Sequence, residues 1–164
     1  MAARIEITVQ DAGVQAAFAG LLAAGGDVTP AMDDIGSAMV SATISRFERE
    51  TGPDGIPWKP SIRARQSGGQ TLTDQAHLRN SITHRASPDS VEWGTNRIYA
   101  GTHQFGAIIR AKNGGKLTFR IGGRWVSKKQ VTIPARPFLG VDDGDSTEIL
   151  AIIADHLQEG IDAR

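Results

Sequence analysis

Ile98-Tyr99-Ala100-Gly101-Thr102-His103-Gln104-Phe105-Gly106 lies between a strand-like run ending in Trp93-Gly94-Thr95 and a long basic segment closing in Ile133-Pro134-Ala135-Arg136-Pro137-Phe138-Leu139-Gly140. Tyr99 and Phe105 bracket small residues, and a glycine follows. The pattern predicts a short helix or tight turn that lays both aromatics on the core and presents His103 and Gln104 at its rim. Aromatic residues are only 5% of the chain, so each of these rings should matter to packing.

Working outward toward the N-terminus, Val91–Gly94 and a strand from Thr83 flank Ser87-Pro88-Asp89, which is hairpin turn chemistry. Leu72–Ile82 reads as a short helix capped by Thr73 or Asp74, with Leu78 and Ile82 inward. Ser61–Gln70 is polar and basic, ends in Gly68-Gly69, and reads as a flexible loop. Thr51–Pro60 holds three prolines and two glycines, which forbid regular structure, and Trp58 is expected to pin it to the core. A clear helix precedes it. Thr29 reads as N-cap, Pro30 takes the first position, Met32, Ile35, Met39, Ala42 and Phe47 form one stripe, and Gly52 is the stop. Farther out, Val14, Phe18, Leu21 and Leu22 repeat at helical spacing after Asp11, and Arg4–Gln10 alternates as a half-buried strand.

Toward the C-terminus, Ala107–Ile133 is a series of strand-length runs split by Asn113-Gly114-Gly115 and Gly122-Gly123, both strong hairpin signals. These hairpins are polar and basic at their tips and are expected to project from the body. Pro134 and Pro137 bracket Ala135-Arg136 and direct Phe138-Leu139 into the core. Asp145 with Glu148 resembles a capping box, and Ile149, Leu150, Ile153, Leu157 and Ile161 stripe a final helix. The fold class expected is α+β: an antiparallel sheet packed by N- and C-terminal helices, with a projecting basic β-hairpin arm at about 107–133 on a single domain of residues 1–164.

Charge is unevenly placed. Net charge is zero, yet residues 93–141 carry nine Lys and Arg and no acid, while residues 142–164 carry seven acids and Arg164 alone. Blocks of this kind suit segments that meet each other or a charged partner. The candidate interface residues are therefore Arg110, Lys112, Lys116, Arg120, Arg124, Lys128 and Lys129 in the arm. His103, Gln104 and Arg136 are candidates shared between fold support and interface. No catalytic, cofactor or metal residue is assigned. Cysteine is absent, the four histidines stand in no ligand spacing, and neither Gly-x-Ser-x-Gly nor a phosphate loop occurs. Asp142-Asp143-Gly144-Asp145 lacks the ligand order of a calcium loop. No run of about 20 apolar residues is present to span a bilayer, and no apolar run like a signal peptide starts the chain, so synthesis in the cytoplasm is expected.

Several elements in order carry a family resemblance: the Phe47 helix end with Gly52-Pro53-Asp54-Gly55-Ile56-Pro57-Trp58, Leu78-Arg79-Asn80-Ser81-Ile82, Trp93-Gly94-Thr95, Tyr99-Ala100 with His103-Gln104-Phe105-Gly106, and Ile133 to Gly140. Across roughly residues 29–160 the chain resembles the phage virion morphogenesis family, the tail completion proteins of Mu-like and P2-like phages and prophages. It departs where that family has Asp-Thr-Gly, here Asp74-Gln75-Ala76, so the local turn is expected to become helical. The resemblance implies a non-enzymatic virion protein, made in the host cytoplasm and built into the tail or neck. It implies partners in the tail tube and head–tail neck, and a homo-oligomeric ring with six subunits as the expected number. Two other readings stand beside it. One is a DNA-contacting connector that uses the same arm without sequence specificity; the other is a small hydrolase using His84 or His103 with an acid.

Overall fold

The computed structural model describes residues 12–23 and 27–162. Its spine is α2 (Thr29–Arg49), whose inward stripe includes Ala31, Met32, Ile35, Met39, Thr43 and Phe47. Thr29 is the first helical residue rather than the cap. Val28 holds the cap position, and the Asp27 carboxylate accepts the Thr29 N–H at 3.0 Å. The helix stops at Glu50, in the left-handed region at φ 56°, with Arg46 and Arg49 in its last turn, where cations suit the negative helix end.

The two halves of α2 serve two cores. Its first half packs with Val14 of α1 (Ala12–Ala23), with Ile149 and Ile153 of α5 (Asp143–Asp162), and with half-buried Ala86, Val91 and Trp93. The last three come from a hairpin of β1 (Thr83–Ala86) and β2 (Val91–Gly94), which lies on α2. Phe47, at the other end, packs with Trp58, Leu78, Ile82, Ala100, Phe138 and Leu139. The Phe47 ring meets Trp58 edge-on at 5.4 Å between centroids and Phe138 at 5.2 Å. Trp58 and Phe138 are thus the core aromatics their proline-rich surroundings suggest.

The α+β class holds, with helices packed on antiparallel strands. Among the described residues, however, the strands form three two-stranded ladders and not one sheet. Besides β1–β2, β3 (Ala107–Arg110) pairs with β6 (Gln130–Ile133), and β4 (Leu117–Ile121) pairs with β5 (Arg124–Lys128). The last two ladders are successive sections of one ribbon, interrupted at Lys112–Gly114, where Asn113 turns left-handed at φ 53°. That interruption separates the two sections, and among the described strands neither section pairs with the α2-bound hairpin.

Two local expectations are corrected. Ser61–Gln70 contains α3 (Ile62–Ser67): the Ser61 hydroxyl accepts the Ala64 N–H at 3.0 Å, and Gly68 closes the helix at φ 70°. This serine cap and terminal glycine are ordinary helix signals that a basic, polar composition obscured. Leu72–Ile82 is not a helix but turns leading into a short 3-10 segment, Arg79–Ser81; Leu78 and Ile82 are still buried. Ala76 keeps φ 56°, so the turn retains the left-handed geometry of a glycine even though alanine occupies the position. Arg4–Gln10 and Asp11 lie outside the described residues.

Candidate assembly interface

α4 (Ala100–Phe105) is the short helix expected after Tyr99, but turned the other way. Residues six apart on a 3.6-residue helix sit about 240° apart, so Tyr99 and Phe105 cannot both face inward. Residues four apart sit about 40° apart, and it is Ala100 and Gln104 that are buried. Tyr99 and Phe105 are exposed, at 40% and 66%, beside Ile98 at 75%. The core assignment of the two aromatics is therefore corrected, and Gln104 leaves the rim for the interior.

The buried Gln104 amide holds the segment after β6 in place of a neighbouring strand. Its Oε1 accepts the N–H groups of Phe138 and Leu139, both at 3.0 Å, and its Nε2 donates to the Leu139 carbonyl at 2.8 Å. The Trp58 indole donates to Pro137 O at 2.8 Å, the Arg136 N–H to His103 O at 2.7 Å, and Arg136 Nε to Lys59 O at 2.7 Å. Gly106, at φ 74°, lies against this segment; a Cβ there would sit 2.8 Å from Ala135 N and 2.9 Å from Ile133 O. Only glycine lets the chain leave α4, enter β3 and pass this close to the return strand.

Arg46 continues the clamp and draws on the acidic block. Fully buried, it donates to Gly140 O at 2.9 Å, to the Asp142 carboxylate at 3.1 Å, and to the Asp145 carboxylate. Asp142 and Asp145 also cap α5 reciprocally: the Asp145 N–H donates to Asp142 Oδ1 at 2.9 Å, and the Asp142 N–H to Asp145 Oδ2 at 3.0 Å. The capping box thus sits three residues earlier than the Asp145–Glu148 reading. Burial alone would raise the Asp142 carboxyl, but the Asp145 N–H and the Arg46 guanidinium outweigh it and hold the group below its ordinary value. Removing one partner of such a buried pair costs about 3–5 kcal/mol, because the other charge is stranded.

His103 and Arg136 line an open cavity of about 310 Å³ together with Arg63, Asp74, His77 and Tyr99. His103 Nδ1 is buried without a hydrogen-bond partner. Burial first, and then the Arg136 charge, push the imidazole below its ordinary value and so favour its neutral form. Arg136 is itself held below the usual arginine value by burial. The remaining described pairs that involve histidine and acid tie α2 to its neighbours: His84 to Asp33 at 2.9 Å and His156 to Asp34 at 2.7 Å.

The structure therefore sorts the ten candidate residues into two places. His103, Gln104 and Arg136 sit at the clamp, where their contacts are within the chain. Arg110, Lys112, Lys116, Arg120, Arg124, Lys128 and Lys129 all lie exposed on the β3–β6 and β4–β5 ribbon. Among the described residues none of these seven forms an ion pair. Trp125 on β5 is 73% exposed, and Ile108 and Ile109 on β3 are 53% and 42% exposed. The Gly122 turn at the tip comes back beside the Gln66 side chain of α3, which corrects the expectation of a freely projecting arm: the tip lies against the body, while the seven cations stay exposed along the ribbon. Sequence reasoning set the whole acidic block 142–164 against the basic arm and could not separate the inward Asp142 and Asp145 from the outward Glu148, Asp155 and Glu159 of α5. Their spacing of seven and four residues was the available signal.

The family model of the phage virion morphogenesis family matches residues 9–158. "Mu-like prophage FluMu G protein 2" of Haemophilus influenzae is 34% identical over 155 residues, covering 94% of this chain and 96% of that protein. A protein named for capsid assembly, protein G of Escherichia phage Mu, is 30% identical over 126 residues, covering 71% of each. No solved structure matches the chain.

Proposed function

The chain belongs to the phage virion morphogenesis family, and on that premise we propose that it completes the tail and secures the joining of tail to head, as a closed ring of six subunits at the head-proximal end of the tail. The observation that carries this reading is the exposed cationic ribbon. Seven Lys and Arg side chains and an exposed tryptophan are mounted on two short ladders that, among the described residues, contribute nothing to either buried core. A two-stranded ribbon is marginal alone, and an assembly surface gives it a reason to be ordered. The relative in phage Mu, named for capsid assembly, supports a role in building the particle. The protein's work in this reading is geometric: it needs no substrate, and its neck and tail-tube partners supply the surfaces that order its ribbon.

Deleting the gene in its phage or prophage tests this. The expected result is full heads and separate tails in the lysate, with infectivity restored by the chain supplied in trans. Normally joined particles without the protein would overturn the reading. The DNA-contacting alternative relies on the same cations; it predicts retention of linear DNA that weakens steeply with salt, and salt-independent retention or none removes it.

A further inference from the structure

We infer that β5 of one copy straddles the outer face of α5 in the next, with Arg124 and Lys128 on the Glu148, Asp155 and Glu159 side and Trp125 over Ala151 and Ala154. This rests on the assembly reading and names the surface that assembly uses.

The helix supplies a matching face. Asp142 and Asp145 are spent on Arg46 and on capping, and exposed Asp143 sits at the helix start about 140° round from Glu148, which leaves Glu148, Asp155 and Glu159 as the exposed acids along the described helix body. At 100° per residue these three fall within about 40° of one line along α5, which runs about 16 Å from Glu148 to Glu159. Ala151 and Ala154 are exposed on one flank, about 60° and 120° round from that line, and their small side chains let another backbone approach closely. The opposite face, with Ile149 and Ile153, is in the core.

The arm supplies the complement. In β5, Arg124, Val126 and Lys128 point to one side of the ribbon and Trp125 and Ser127 to the other, because side chains alternate along a strand. Arg124 and Lys128 are four residues apart, about 13 Å at 3.3 Å per residue, comparable with the spacing of the acids. Among the described residues β5 pairs with β4 alone, which leaves its other edge open to a partner. Laid edge-on along the helix, it presents cations to one flank and the indole to the other. The acids and alanines of α5 are divided in the same way. The contact joins two different surfaces, so it is heterologous and closes into a ring when the rotation between subunits is a whole fraction of a turn. Opposite potentials fix the register.

The absence of cysteine from the chain makes the test direct. Purified Lys128→Cys and Asp155→Cys chains are mixed at high concentration and oxidised. The prediction is a mixed disulfide dimer, and a ladder of larger species when one chain carries both cysteines. Arg124→Glu in the first chain should lower the mixed product at least about tenfold, and Glu148→Arg in the second should restore most of it. A product linked only within single chains, or equal yields from same-variant and mixed samples, would overturn the contact. The gene-deletion phenotype is read separately, so joined particles lacking the protein would remove the tail-completion role and leave this result standing.

Discussion

Ala76 is the residue where a sequence departure and a backbone observation meet. Where the resembled family carries glycine, this chain places alanine at φ 56°, a conformation that costs an L-residue about 1–2 kcal/mol. Replacement by glycine removes that strain but restores unfolded-chain entropy worth about 0.5–1 kcal/mol. Ala76→Gly should therefore raise stability by about 0.5–1 kcal/mol, measurable as a higher urea midpoint with an unchanged slope; a lower midpoint would mean the turn is not held left-handed. The sequence showed the missing glycine but not the outcome, because neighbouring contacts, not the residue's own preference, fix the turn. His103 gives a second residue-scale prediction. Its folded-state pKa lies below the ordinary 6.5 through burial and then the Arg136 charge. The unfolded chain accepts the proton more readily, so stability is lost as pH falls below about 6.5. The difference in melting temperature between wild type and His103→Gln should move in favour of the variant between pH 7 and pH 5. A constant difference would show that His103 titrates normally.

At the scale of elements, the long amphipathic helices were readable because their stripes repeat many times. α2 and α5 stand where Met32, Ile35, Met39 and Phe47, and Ile149 and Ile153, place them. α4 shows why short elements are less legible. Its six residues carry less than two turns of pattern, and two aromatics outweighed a buried glutamine in the reading. Gln104 matters because three backbone groups of Phe138 and Leu139 have it as partner. Gln104→Leu keeps the size and removes all three bonds, each unsatisfied buried group costing about 1–3 kcal/mol. A loss of about 3 kcal/mol or more is expected by urea unfolding, with faster amide exchange at Phe138 and Leu139. A loss under about 0.5 kcal/mol would mean the segment is held by its apolar side chains alone. The arm's cations were legible as composition. Their separation from the clamp was not, since it depends on Gly106 and on the break at Lys112–Gly114.

For the whole molecule, the division of labour follows from charge. The acidic C-terminal block splits into Asp142 and Asp145, which with Arg46 lock α5 to α2, and an outward set available to another molecule. Overall neutrality hid this, because an interior charge and an exterior one count alike in a sum. Most of the molecule therefore packs around α2, and residues 107–133 form a cationic ribbon whose tip lies against α3. Electron cryomicroscopy of the head–tail junction in assembled particles tests the central claim most directly. The account predicts a closed ring of this chain at the head-proximal end of the tail, each ribbon lying on α5 of its neighbour. A junction without the chain, or a ring whose ribbons rest on their own subunits and leave α5 bare, would contradict it.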